Sequence, residues 1–472
     1  MVRLAALLPL VFLFLALPAQ ARTPVEPETD AEEPPSRLWL VSGEVGVGPI
    51  EEELFLHLTP RLTFLQRLPA LLCTDGDCNT YFEAALQVPL RLRMQDDDDQ
   101  GRLRGEDWLE LSDFFRVIRR LEYGDRSTPL HVKVGELGPA NLGHGTIVNG
   151  YYNVVSVDHY RLGLMARLDR ERYGGEVLVN NLLSPNLLGL RAHARPPGLF
   201  ERGSSAQSFS LGASVVTDLR APTLLARDGD ELVAVGPDRN PEVAEHQPTV
   251  IVGGDLRWHG LQQQGAALTP YVDINHHFGL GSGLHTGAYY SHSFFYGALN
   301  FMTRLEFRLL QGQYLPDYVD PLYELTRFQT PSVQPGLAGP KLRVARSNEE
   351  EIRHGGFAEI QARILGTIRL SAAYADETGP SAANLRLRIS ADFAEARVGL
   401  FYYKFALSTD DRSLFRELVD RDGALVAAEA RTAIWGPFYA QALLAQQWLL
   451  RDDGHFDNVV LWNAGAGAGF TF

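Results

Sequence analysis

The chain has 472 residues, 45% of them hydrophobic and 21% charged, with a formal net charge of −15 and a mean hydropathy of −0.11. That composition excludes collagen, low-complexity disorder and a disulfide-stapled miniprotein, and the acidic balance argues against nucleic acid as a partner. By these totals alone it reads as an acidic soluble protein of two or three domains. The period of its hydrophobic residues says otherwise.

Residues 1–21 have the parts of a secretory signal peptide: Arg3, an apolar stretch from Leu4 to Leu17, and Ala19-Gln20-Ala21 as a cleavage pattern. The apolar stretch is short for a membrane anchor. No cysteine lies near the cut, which excludes a lipoprotein. Residues 22–37 hold Pro24, Pro27, Pro34 and Pro35 among acidic side chains. Proline denies helix and sheet and like charges repel, so an extended linker is expected. Cys73 and Cys78 enclose Thr-Asp-Gly-Asp. In an exported chain a small local disulfide is the expectation, and two thiols without further ligands nearby make a poor metal site.

From residue 38 onward the period is two. In 81–94, Phe82, Ala84, Leu86, Val88, Leu90 and Leu92 alternate with Glu83, Gln87, Arg91 and Arg93. The segments 299–309, 357–371 and 383–390 behave alike, each with a face free of charge and a face of Arg, Glu, Gln and Asn. Weaker versions fall near 38–47, 53–65, 129–136, 158–168, 174–182, 187–195, 207–217, 249–258, 268–278, 283–295, 396–407, 427–435, 437–450 and 458–472. Most exceed the ~5–6 residues of a soluble strand and suit the ~9–11 of a tilted membrane strand. An apolar-out, polar-in dyad repeated this often predicts one all-β, antiparallel transmembrane barrel over 38–472, with about sixteen to eighteen strands. Tyr151-Tyr152, Tyr289-Tyr290, Phe294-Phe295-Tyr296, Tyr402-Tyr403, Trp435 and Trp462 fall near strand ends, where a girdle of rings suits the membrane–water interface.

Segment 106–122 differs. Trp108, Leu111, Phe115, Ile118 and Leu121 recur at three and four, which predicts a short helix in a long loop, either folded into the pore or packed on the rim. Counting strands back from the C-terminus places 218–248 and 312–355 as long segments on the side of the short turns. That is the wrong asymmetry, unless a strand pair is missing or these segments fold into the lumen.

The chain ends Gly467-Ala468-Gly469-Phe470-Thr471-Phe472, with Val460, Trp462, Ala464, Ala466, Ala468, Phe470 and Phe472 on one face. This resembles the C-terminal assembly signal of bacterial (Gram-negative) outer-membrane β-barrels of the porin-like kind. No specific family within the class is indicated. The resemblance implies an outer-membrane address, contact with outer-membrane lipid, and passage through the barrel assembly machinery by way of the last strand and Phe470 and Phe472.

Lysine occurs only at Lys133, Lys341 and Lys404, so forty of the 43 basic residues are arginine. In the polar register stand Arg91, Arg93, Arg161, Arg167, Arg191, Arg195, Arg257, Arg304, Arg308, Arg363, Arg369, Arg386 and Arg388, with Glu83, Asp255, Asp273, Glu306 and Glu359 as acids. A lumen lined this way favours small polar solutes, and anions among them. Inward arginines paired with inward acids would instead brace the wall. Neither catalytic residues nor a metal or other cofactor is indicated. Asp158-His159 and His276-His277 split across strand faces, Gly143-His144-Gly145 reads as a turn, and the acidic runs Asp96–Asp99, Asp410-Asp411 and Asp452-Asp453 read as solvated loops. The expected function is a non-enzymatic outer-membrane channel. The rivals are a non-conducting structural or surface-binding barrel and, further off, a barrel hydrolase. The number of subunits is open.

Overall fold

The computed structural model describes residues 37–472 apart from 51–52, 73–78, 96–101, 109–110, 126–127, 156–159, 171, 197–208, 230–231, 237–239, 259–261, 264, 330–338, 347–350, 379–382, 408–423 and 451–455. The signal peptide, nearly all of the linker and the Cys73–Cys78 disulfide lie outside the described residues, as do Asp158 and His159.

Twenty strands follow one another around the sheet. They are β1 (Arg37–Ile50), β2 (Glu53–Pro69), β3 (Asn79–Gln87 continued as Leu90–Arg93), β4 (Ile118–Tyr123), β5 (Leu130–Gly135), β6 (Gly163–Asp169) and β7 (Tyr173–Val179). Next come β8 (Leu187–Ala194), β9 (Phe209–Leu225), β10 (Val243–Trp258), β11 (Ala266–His277), β12 (Gly281–Phe294), β13 (Leu299–Gly312) and β14 (Arg353–Ile364). The last six are β15 (Ile368–Glu377), β16 (Ala383–Asp392), β17 (Ala396–Leu407), β18 (Ala424–Trp435), β19 (Phe438–Leu450) and β20 (Phe456–Thr471). Each pairs antiparallel with its neighbours in sequence. β3 is interrupted at Val88-Pro89, where proline has no N–H for the ladder, and both of its pieces pair with β2.

The ring closes between β1 and β20, in register from Leu40 opposite Thr471 to Val47 opposite Ala464. Trp39 and Phe472 exchange backbone hydrogen bonds of 3.0 and 2.8 Å beyond the last pair. Closure leaves no unpaired edge, the condition for a sheet to cross lipid. Gly465 matters at this seam: a Cβ there would lie 2.2 Å from the Val45 carbonyl oxygen.

The alternating pattern becomes two surfaces. Val41, Val45, Leu190, Leu211, Leu256, Ile274, Leu305, Phe307, Ile360, Ile389, Val398, Leu444, Val460 and Trp462 stand exposed on the outside. Arg304, Glu306 and Arg308, which alternate with Leu305 and Phe307, are buried inside. A continuous band of exposed aliphatic and aromatic side chains is unfavourable in water and suits lipid. At the end that carries the last strand's C-terminus, Phe295, Tyr296, Trp435, Phe438 and Phe472 are exposed, in the place of an aromatic girdle. Other predicted girdle rings go elsewhere. Tyr151, Tyr289 and Tyr403 turn inward, because each has a partner or packing surface in the lumen.

The all-β barrel expected from the sequence is present, and its strand number is twenty. Both additional strands have a physical explanation. The segment 357–371 is a hairpin of β14 and β15, not one strand. Its turn at Leu365-Gly366 has φ of +51° and +71°, the two positive values of a type I′ turn. Leucine is rarely found there, so nothing but Gly366 marks the turn. Ile364 pairs with Ile368 and Arg363 with Arg369, so the polar residues keep one face through the reversal. The other addition is β4. Helical turns do occupy Gly105–Trp108, Leu111–Phe114 and Phe115–Val117, but Ile118–Tyr123 is extended, because β3 and β5 supply ladder partners on both sides and tertiary pairing outweighs the helical spacing. Leu111 and Phe114 stay exposed, as expected of a rim element.

The hairpin also restores the expected asymmetry. One missed strand inverts the direction of everything before it. With β15 counted, 226–242 and 313–352 fall at the same end as 94–117 and 136–162, while links such as 365–367, 393–395 and 436–437 are short and lie at the end holding Phe472. Strands β4 to β8 have six to eight residues, fewer than a full span, and this stretch of wall backs the loops that enter the lumen.

Candidate functional site: the lumen and its inward loops

Two long loops, 136–162 and 313–346, fold into the barrel. They meet at a parallel bridge between Val148 and Val319, where Asn149 N–H donates to Val319 O at 2.9 Å and Val319 N–H to Ile147 O at 3.0 Å. Leu137, Ala140, Leu142, Ile147, Val148 and Tyr151 of the first loop and Tyr318, Val319 and Tyr323 of the second form one buried cluster with the wall residues Leu178, Leu187, Val216 and Ile251. An apolar cluster inside a polar-lined tube draws both loops out of water.

Backbone that leaves regular structure must find new hydrogen bonds when buried. Asn153, fully buried, supplies several: its Oδ1 accepts from Leu137 N at 2.7 Å, and its Nδ2 faces the carbonyls of Gly135, Arg161 and Asn180 at 3.1, 2.8 and 3.2 Å. Glu324 is the polar anchor between the loops and is fully buried. Its carboxylate accepts from Tyr151 Oη at 2.5 Å and Asn180 Nδ2 at 3.3 Å, and faces Arg161 at 3.3 Å and Arg327 at 3.6 Å. Burial opposes its charge, yet Arg161 and Arg327 outweigh that and hold it below the usual carboxylate range. Tyr323 Oη donates to Asp218 of β9 at 2.7 Å, and Arg327 bonds the same carboxylate. Lys341 pairs with Asp320 and lies over the rings of Tyr318 and Tyr323. Burial raises the Tyr318 and Tyr323 hydroxyls above their ordinary range, which keeps them neutral donors.

The predicted lumen arginines divide by what they touch. Arg304 and Arg308 flank Glu306 at 2.5 and 2.7 Å, and Arg308 reaches on to Asp317 of the second loop at 2.9 Å. Arg191 holds both oxygens of Asp255, at 3.0 and 2.7 Å, and Glu176 at 3.1 Å. Arg167 and Arg195 share Asp169 at 2.7 and 2.9 Å. Arg91 meets Asp107 at 2.5 Å and Arg93 meets Glu53 at 2.9 Å. Arg161 and Arg195 are lumenal but lie just outside β6 and β8. These eight brace the wall or tie loops to it, with several acids that the polar register did not single out. Arg386 and Arg388 point to the first loop, at Asn149 O (3.5 Å) and Tyr152 Oη (3.1 Å). Arg363 stands exposed opposite Arg369, which pairs with Asp392 at 2.8 Å. Arg257 is half-buried near Arg191, Arg195, Asp169 and Asp255, and its Nε has no hydrogen-bond partner.

The loops do not fill the lumen evenly. Arg304 and Arg308 on the packed side have side-chain exposures of 2% and 1%, whereas the inward Arg397 and Glu429 across the barrel have 58% and 55%. On that open side a cavity of about 390 Å³ is bounded by inner faces of β1 to β4 and β17 to β20. Arg61, Arg91, Arg119, Arg397 and Arg431 line it, against Glu44 and Glu429. Glu44 pairs with Arg61 at 2.6 Å and Glu429 faces Arg397 at 3.7 Å, so five guanidinium groups meet two carboxylates in the lining. Arg431 stacks over Tyr439, its carbon 3.3 Å from the ring centre, and Tyr439 Oη donates to Glu44 at 3.0 Å. Of these five arginines only Arg91 was among the sequence candidates. Arg61, Arg397 and Arg431 lie on segments read as strands, and the same alternation would have found them. Arg119 was hidden by the helical reading of β4.

A closed antiparallel sheet with a lipid-facing exterior, a polar lumen and inward-folded loops defines a porin-like outer-membrane β-barrel. No protein-family model matches the sequence, and no curated protein matches it. Solved structures that it resembles include OccK11 (OpdR) of Pseudomonas aeruginosa, at 9% identity and a TM-score of 0.36, covering 92% of this chain and 96% of that one. OccAB4 of Acinetobacter baumannii is similar at 10% identity and a TM-score of 0.33, covering 92% and 98%. The outer-membrane protein OpdK of Pseudomonas aeruginosa gives 10% and 0.34, covering 92% and 99%.

Proposed function

We propose that the protein is an outer-membrane channel for passive or substrate-selective passage of small polar solutes, with anions preferred, and that no chemical step takes place on it. The observation that carries this reading is the one-sided lumen: loops packed on one wall, and opposite them a solvated cavity faced by Arg61, Arg91, Arg119, Arg397 and Arg431. Guanidinium stays charged at any physiological pH and offers carboxylates and phosphates a planar fork. A passage lined by such groups lowers the barrier for anions and raises it for cations.

Recording single channels from the refolded barrel in a planar bilayer tests both parts. Stepwise ion current is expected, with a reversal potential in a salt gradient that reports anion preference. Replacing Arg397 and Arg431 by glutamate moves that potential toward cations. Absence of current from folded protein refutes the channel and favours a non-conducting barrel, a reading that the depth of the two inward loops keeps in play. Current with cation preference in the unaltered protein refutes the anion part alone.

A further inference from the structure

His144 stands at the tip of a turn in the first inward loop, between Gly143 and Gly145 with φ of +58° and +80°. The turn carries the ring to the wall, where Nδ1 lies 2.7 Å from Asp273 Oδ1 of β11 and the ring stacks on Tyr271 at 4.3 Å. Asp255 of β10 is the register partner of Asp273. All three residues are buried, and one ligand atom from each lies within 4.8 Å of the others. They border a small cavity of about 10 Å³, together with Thr146, Ser214 and Asn275. That is close to one water-sized sphere.

A second observation concerns the other nitrogen of the same ring. His144 Nε2 is buried and has no hydrogen-bond partner, an unusual state for a ring nitrogen in a native interior. The carboxylates of Asp255 and Asp273 place two negative charges at the cavity, beside the guanidinium of Arg191. Asp255 need not release Arg191 to take part, because each carboxylate oxygen has a second lone pair.

We propose that His144, Asp255 and Asp273 form a binding site for a divalent transition-metal ion, with Zn²⁺ the best match, that staples the first inward loop to β10 and β11. One imidazole and two carboxylates suit Zn²⁺, whereas Ca²⁺ and Mg²⁺ take oxygen-only sets. Bonds of about 2.0–2.2 Å set ligand atoms about 3.4 Å apart, so Nδ1 and Asp273 Oδ1 would part from 2.7 Å while wider pairs draw in, and the flanking glycines give His144 that freedom. The ion would fasten loop to wall whether or not the barrel conducts.

The test uses the full refolded barrel, stripped with chelator and titrated with Zn²⁺ alone by calorimetry. One equivalent is expected to bind, with affinity at least about tenfold weaker in both His144→Ala and Asp255→Asn, each checked for folding by its heat-modifiable gel mobility. Diffraction at the zinc edge is expected to show one anomalous peak among the three side chains. Absence of saturable Zn²⁺ binding, equal binding in folded variants, or a peak elsewhere would overturn the proposal, and so would binding of Ca²⁺ in place of Zn²⁺. Should either variant fail to fold, the position of the anomalous peak in the unaltered protein decides.

Discussion

Replacing Glu324 by glutamine isolates what holds the inward loops in place. The substitution keeps shape and an acceptor for Tyr151 Oη, but removes the charge facing Arg161 at 3.3 Å and Arg327 at 3.6 Å. Breaking a buried ion pair by removing one partner costs about 3–5 kcal/mol. Arg327 keeps Asp218 at 3.2 Å and the glutamine oxygen still accepts from Tyr151, so the cost falls at or just under the bottom of that range, about 2–3 kcal/mol in favour of the undocked loops. At 1.4 kcal/mol per factor of ten, the opening equilibrium rises by roughly 30- to 140-fold. Hydrogen exchange followed by mass spectrometry reads that ratio directly at backbone amides that bond from one loop to the other, Asn149 and Val319 among them. Exchange there is expected to accelerate by that factor, while the β1–β20 seam stays protected. If the variant folds and these amides exchange as slowly as in the unaltered protein, Glu324 is not the anchor and apolar packing alone holds the loops.

The same carboxylate sets a pH expectation. Its value in the folded protein lies below that in the unfolded chain, so its contribution is fully present above the ordinary carboxylate value of about 4.3 and is lost as pH falls through the depressed one. Loop protection should therefore be unchanged from neutral pH to about pH 5 and fall only below about pH 4; loosening near pH 6 would contradict this. Leu365→Asn places a residue tolerant of left-handed backbone at φ +51° and should stabilise the barrel by about 1 kcal/mol in urea titrations in micelles. Gly465→Val puts side-chain carbon against the Val45 carbonyl and should prevent closure, read as loss of the heat-modifiable folded band. Folding at the usual yield would place the seam elsewhere.

Much of the barrel was legible because alternation is a local property. An inward arginine and an outward leucine are neighbours in sequence, and each must meet its own solvent, so Leu305, Phe307, Arg304, Glu306 and Arg308 sort by face without knowledge of any other strand. The closing strand was equally readable, since Val460, Trp462, Phe470 and Phe472 carry the outward face to the last residue. Strand number was less so. Leu365-Gly366 reverses the chain without disturbing the polar and apolar order, and Ile118–Tyr123 is extended only because β3 and β5 lie on either side of it. The roles of the arginines depended wholly on closure. Whether a guanidinium braces the wall or faces water is set by which acids and which loop stand across the lumen, and those partners come from distant sequence: Arg161 meets Glu324, Arg191 meets Asp255, Arg308 meets Asp317. So the sequence by itself determined a closed two-faced sheet, because each residue's preference for lipid or water acts at its own position. Only the tertiary structure decided where the lumen is filled and where it is open, because that follows from contacts between loops and wall that have no local signature.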